Sequence, residues 1–226
     1  MALRYNARPG KRRLRAKLSL LLLMLISLAA PLSMQYGTAR AQQDIVLIKG
    51  FPSVVQWYSL SCEYASAAAV TLYWGNLVSQ SDFIREVPAH PNPHKGFRGN
   101  IHGAHGGTDD YGIYARPLVP VLERRGYQAR AVFADADWLK AEINEGHPIV
   151  VWITAGRDAV RNGFYEHYEG ERFKLVPYEH AVVVYGYDGD GVYSMDVGSG
   201  GFFHTPWDSF LRRWGYFDNM ALWIHP

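Results

Sequence analysis

Residues 56–75 read Gln-Trp-Tyr-Ser-Leu-Ser-Cys-Glu-Tyr-Ala-Ser-Ala-Ala-Ala-Val-Thr-Leu-Tyr-Trp-Gly, and this stretch decides the fold. From Cys62 to Trp74 the pattern predicts a helix. Ser61 is placed to cap it, Glu63 suits the positive end of its dipole, and Gly75 can take the left-handed conformation that stops it. Ala65, Ala67, Ala68 and Ala69 leave little side-chain bulk, so this helix can lie close against a sheet at the centre of the molecule. Cys62, the one cysteine in the chain, stands at the helix start with Gln56 six positions upstream. A thiol at a helix N-terminus is expected to ionise more readily, because the dipole favours the thiolate.

The chain around this helix divides in two. Residues 1–41 read as a signal peptide or N-terminal anchor: a basic segment from Lys11 to Lys17, an uncharged apolar run from Leu18 to Ala30, and Ala39-Arg40-Ala41 as a cleavage site before Gln42. The apolar run is shorter than the about 20 residues that a membrane span needs. Export, to an extracellular or cell-surface location, is therefore expected, with membrane contact only through this segment if it is retained. An exported chain usually carries cysteines in disulfide pairs, so a lone one is either buried or used.

The whole chain has 23 Lys+Arg and 21 Asp+Glu, but eight of the basic residues and none of the acidic ones precede Gln42. Residues 42–226 thus hold 15 basic against 21 acidic side chains, which argues against a nucleic-acid partner. Their length suits one domain. Helices are expected over 81–87, 114–125, 136–145 and 208–214. Strands are expected over 45–49, 148–154, 180–187, 191–197 and 219–225. Helices first and antiparallel strands after them make an α+β layout, with the central helix packed on the sheet.

Thiol catalysis needs a nucleophile, a base, a group that orients the base and donors for the oxyanion. Cys62, His180, Asp196 and Gln56 supply the four types in that order. His180 and Asp196 lie on the two strands of one expected hairpin around Asp188-Gly189-Asp190. A three-residue turn sets Asp196 opposite Val182 and makes His180 its diagonal neighbour on the same face. A loop of even length turns the two side chains to opposite faces.

Taken together, Gln56 to Gly75, the strand His180-Ala181-Val182-Val183-Val184 and Asp196 resemble the papain-like cysteine peptidases. Within these the chain is most similar to family 39, known for removing double-glycine leader peptides from bacteriocins, and to its stand-alone, exported family-39-like members. Asn92 to Gly99, Gly112 to Leu118 and Gly146 to Trp152 extend the resemblance over about residues 45–224. It implies the papain-like fold, a Cys62–His180–Asp196 triad with Gln56 at the oxyanion, a peptide or protein substrate, and no cofactor. Members often carry Gly after the cysteine and Pro after the triad acid, where this chain has Glu63 and Val197. Leader-cleaving members are usually fused to a transporter, so the double-glycine specificity is not carried over.

Other features have competing readings. Trp57 and Tyr58 either wall the cleft or pack in the core. His90, His94, His102 and His105 crowd one Gly-rich loop, 89–112, but lack the spacing of a zinc site, and no metal is expected. Asp188-Gly189-Asp190-Gly191 is a turn rather than a calcium loop. Arg157 to Glu179, with Glu166, Glu169, Glu171 and Glu179 among Phe164, Tyr165 and Tyr168, is expected to form a flap beside His180.

Overall fold

A computed structural model describes residues 44–155 and 163–226. The expectations for residues 1–41, and the part of the 157–179 flap up to residue 162, lie outside the described residues.

In chain order the elements are β1 (Val46–Leu47), α1 (Cys62–Tyr73), α2 (Gln80–Glu86), a 3-10 turn (Arg116–Leu118) running into α3 (Val119–Glu123), β2 (Gln128–Phe133), α4 (Ala136–Asn144), β3 (Ile149–Thr154), β4 (Phe164–Tyr168), β5 (Glu171–Leu175), β6 (Glu179–Tyr187), β7 (Gly191–Asp196), β8 (Gly201–Pro206), α5 (Trp207–Gly215) and β9 (Met220–His225). The main sheet runs β2-β9-β3-β6-β7-β8 with antiparallel pairing throughout, and β1 adds to β6. β4 and β5 form a separate hairpin. The α+β fold read from the sequence is the one observed.

The sheet is covered on both faces, which is why β3 is buried at every position and apolar from Ile149 to Ile153. One face carries α1. Its residues Ala65, Ala67, Ala69 and Val70 share a core with Val150, Trp152, Ala181, Val183 and Met195. The other face carries α4 and α5, where Leu139, Ile143, Phe210 and Trp214 pack on Val151, Ile153, Val182 and Val184. Alternation along β6 thus sends Ala181 and Val183 toward α1, and Val182 and Val184 toward α5.

Helix α1 is buried from Cys62 to Thr71. Its alanines let it approach β6 closely enough for Ser66 Oγ to donate to Ala181 O at 3.2 Å. Gly75, at φ +86°, ends it: its N–H reaches Leu72 O, and that of Asn76 reaches Thr71 O. Ser61 occupies the N-cap position without capping. Its hydroxyl instead accepts from Tyr58 N–H and donates to Tyr58 O, closing the turn ahead of the helix. Helix α2 starts on a Ser79–Asp82 capping box and α4 on Asp135, whose carboxylate accepts from Trp138 N–H at 2.8 Å.

The β6–β7 hairpin reaches the expected register by another route. Tyr187 pairs with Val192, so the loop between them has an even number of residues. A bulge at Tyr185 adds one residue to β6, restores the parity and sets Val182 opposite Asp196. The bulged Tyr185 gives its carbonyl to Ile48 N–H at 2.8 Å.

Among the described residues, the expected flap segment forms the β4–β5 hairpin. Glu166 pairs with Arg98 and Glu171 with Lys95, both cations belonging to the 89–112 loop. Glu179, counted with the flap in the sequence, opens β6 and is buried.

Candidate active site

His180 and Asp196 come together as diagonal neighbours, with Nε2 2.6 Å from Asp196 Oδ1. Two further donors reach Asp196: Gly198 N–H donates to Oδ1 at 3.0 Å and Ser199 Oγ to Oδ2 at 2.9 Å. Burial works against ionisation of Asp196, but the His180 contact and these donors outweigh it and hold its carboxyl at about 2. A fixed carboxylate on Nε2 leaves His180 Nδ1 with no hydrogen-bond partner among the described residues. His180 lines a cleft of ≈ 240 Å³, together with Gln56, Ser59, His105, Ala155, Asp196 and Gly198.

Cys62 approaches the same end of β6 from the α1 side. Its sulfur accepts from Ala181 N–H at 3.4 Å, so it lies beside the residue that follows His180. Its thiol donates to Glu63 Oε2 at 3.3 Å and lies 4.0 Å from Glu179 Oε2. Cys62 and His180 share no hydrogen bond. The sulfur meets the backbone and neighbours of His180 rather than its ring, because Glu179 and Ala181 face α1 while His180 faces away from it.

This setting reverses the expected activation of the thiol. Cys62 is 3 % exposed. Burial, and then the charges of Glu179 and Glu63, push its pKa well above that of a free cysteine, and the N–H of Ala181 offsets only part of this. The helix dipole is outweighed. Glu63 is itself pushed up to about 7 by burial, against the pull of Ile113 N–H, which donates to its Oε1 at 2.6 Å. Glu179 is raised by burial and by Glu63, and its Oε1 has no partner. Gly112 completes the pocket: at φ +132° it passes so close that a Cβ would collide with Glu63 Oε1. Cys62, Glu63 and Glu179 form the one group of potential metal ligands among the described residues.

Gln56 borders the cleft, but both protons of its amide are engaged, on Tyr58 O at 2.7 Å and Ser59 O at 3.0 Å. Its Oε1 is buried without a partner. Trp57 and Tyr58 do not wall this cleft. Trp57 is 58 % exposed, its backbone N–H held by Gln80, and Tyr58 packs edge-on against His102. Ser59 and His105 line it in their place.

The four loop histidines disperse. His90 accepts from Asn92 N–H, while His94 and His102 pack on Tyr114 and Tyr58. His105 alone reaches the site, with Nε2 3.0 Å from Glu179 O and its ring edge-on to His180. Ser59, Glu63, His105 and Glu179 were not singled out for the site by the sequence. Glu63 and Glu179, each adjacent to a candidate catalytic residue, carried the only available signal.

An antiparallel sheet with a buried helix that starts on cysteine, and a His–Asp pair on the neighbouring hairpin, defines the papain-like class of fold. The chain belongs to the Peptidase_C39-like family, whose model matches residues 48–222. It is similar in structure to a protein from Bacillus anthracis described as a C39-like peptidase, with a TM-score of 0.69 and 21 % identity, covering 81 % of this chain and 98 % of that one. It is also similar to the peptidase domain of Streptococcus ComA, a bi-functional ABC transporter of a quorum-sensing pathway, with a TM-score of 0.52 and 18 % identity, covering 78 % of this chain and 98 % of that one. No curated protein matches the chain. Membership implies a cysteine-peptidase type of function.

Proposed function

We propose that this chain is an exported cysteine peptidase, or related thiol amide hydrolase, that works through an acyl-enzyme. The observation that carries the reading is the His180–Asp196 pair at the rim of a cleft, with Cys62 sulfur bonded to the backbone of the very next residue. Export rests on the sequence of residues 11–41. Among the described residues, no helix is long and apolar enough to cross a membrane.

In this reading the structure is the resting form, with the thiol stored as a neutral donor to Glu63. A hop between staggered χ1 wells moves a cysteine sulfur by about 3 Å, and catalysis in this reading requires such a move away from the carboxylate pair and toward His180. Nδ1 of His180 takes the thiol proton as sulfur attacks the substrate carbonyl carbon. Asp196 holds the ring and stabilises the imidazolium. Backbone N–H of Cys62, and the amide of Gln56 once it leaves its loop carbonyls, receive the negative oxygen. The departing amine carries off the proton, and water then releases the acyl group from sulfur.

A second reading is favoured by the buried, carboxylate-flanked thiol: a peptide-binding module on the same fold, without catalysis. Hydrolysis of a mixed peptide library and of peptidoglycan-derived peptides separates the two. Wild type is expected to cleave members of one set, with turnover lost in Cys62→Ala and in His180→Ala. Folded wild type that binds peptides but leaves every bond intact establishes the module instead.

A further inference from the structure

On the α5 side of His180 a second cavity, of ≈ 320 Å³, adjoins the cleft and shares Ala155, His180 and Asp196 with it. Its walls are mainly apolar, from Ile153, Val182, Phe203 and Phe210, with Arg213 of α5 reaching in. One edge of the guanidinium is anchored, because Nε donates to Thr154 O at 2.7 Å. Its two terminal nitrogens have no hydrogen-bond partner among the described residues. Among the described residues, two carboxylates line this wall or support it, Asp196 directly and Asp188 through His204, and both already have partners. Asp196 is occupied by His180, Gly198 N–H and Ser199. Asp188 is occupied by Tyr193, His204 and the N–H groups of Asp190 and Gly191.

A half-buried guanidinium without a bonded anion is costly to keep, since desolvation is not repaid. Burial does push the pKa of Arg213 down, with only the more distant charge of Asp196 opposing it. A fixed Nε with the outer nitrogens open is the arrangement that receives a carboxylate through two parallel bonds. The apolar walls then accept the short carbon chain that carries the carboxylate.

The geometry points to Arg213 as the anchor of a carboxylate-binding subsite beside the catalytic cleft, so that favoured peptides place an acidic group next to the bond that is cut. That group is either the side chain of Asp or Glu or the α-carboxylate of a chain end. The assignment rests on the peptidase reading for its kinetic consequence but not for binding.

The test measures binding first, by fluorescence anisotropy on full-length Cys62→Ala. The labelled hexapeptides carry Asp, Asn, Glu or Gln at each position in turn, with free-acid or amide C-termini. One acid is expected to bind about ten- to a hundredfold more tightly than its amide, the range for a hydrogen-bonded charge. Arg213→Gln in the same background removes this preference and leaves amide peptides unaffected, while Arg213→Lys keeps part of it. An Asp or Glu preference at one position identifies a side-chain subsite, and a free-acid preference identifies a chain-end subsite. On active enzyme the same peptides change in kcat/KM, and Arg213→Gln slows the acidic ones alone. Equal binding of acids and amides overturns the inference, as does a uniform loss with Arg213→Gln, which assigns Arg213 to support of Asp196. Failure of every peptide to be hydrolysed, with the acid preference intact in binding, counts against the peptidase reading and leaves the subsite standing.

Discussion

Replacing Glu63 by Gln should make this protein more stable in alkaline solution, not less. Glu63 is wholly buried, and its carboxyl is raised from 4.5 to about 7. A folded-state pKa above the unfolded one means that the protonated group contributes stability. That contribution is fully present below about pH 4.5 and is lost as pH rises toward and through about 7. A shift of this size corresponds to about 3 kcal/mol, since one unit is about 1.4 kcal/mol. Glu179, raised by burial and by Glu63, adds to the loss in the same sense. Gln at 63 keeps an acceptor for Ile113 N–H and cannot ionise. Urea unfolding of wild type and Glu63→Gln at pH 5 and pH 8 reads the difference. Wild type should lose about 3 kcal/mol or more between the two, and the variant should lose much less and overtake it at pH 8. Parallel curves for the two proteins, or a wild type equally stable at both values, would refute the account of a carboxyl raised by its burial.

Four further outcomes follow from the same geometry. Once Glu179 is ionised in alkaline solution, Glu179→Gln removes a charge 4.0 Å from the sulfur. At that distance a like charge is worth from about 1 kcal/mol in water to about 4 kcal/mol at an effective dielectric of 20, so alkylation of Cys62 by iodoacetamide should quicken about tenfold or more; an unchanged rate contradicts the role given to Glu179. Gly112→Ala sets a methyl group against Glu63 Oε1 at a backbone angle that favours glycine, and thermal unfolding should report a loss of about 2 kcal/mol or more. Ser79→Ala breaks the capping box of α2 and should cost about 1 kcal/mol, read in the same assay. Asp196→Asn should cut turnover at least about a hundredfold with little effect on peptide binding, whereas loss of binding with unchanged turnover is the opposite result.

The layout was legible in the sequence because its signals are local. The alanine run, Gly75 and the apolar run Ile149–Ile153 each fix an element by conformation or burial alone. The pairing of His180 with Asp196 was legible for a partly mistaken reason. The loop has an even length, and the bulge at Tyr185 that restores the parity comes with Ile48 N–H donating to its carbonyl, a contact between segments far apart in sequence. The β4–β5 hairpin turns on Glu169-Gly170, both at positive φ. Glutamate is not the Asn or Asp that marks such a turn, so the strands were read as a flap. Glu63 and Glu179 were least legible, because glutamate is rarely buried without a charged partner and nothing nearby in the sequence supplies one. That omission inverted the expected state of the thiol. The dipole of α1 is a property of its own residues, whereas the carboxylate opposite it arrives with β6.

The most direct test is the mass of a covalent adduct. A peptidyl acyloxymethyl ketone, which reacts with cysteine only when a neighbouring base assists, is incubated with wild type and with His180→Ala. The labelled residue is then identified by mass spectrometry. One adduct per chain on Cys62 in wild type, absent in folded His180→Ala, is the predicted result. A wild-type thiol that stays unmodified while the protein remains folded, or equal labelling without His180, contradicts the claim that Cys62 and His180 act together.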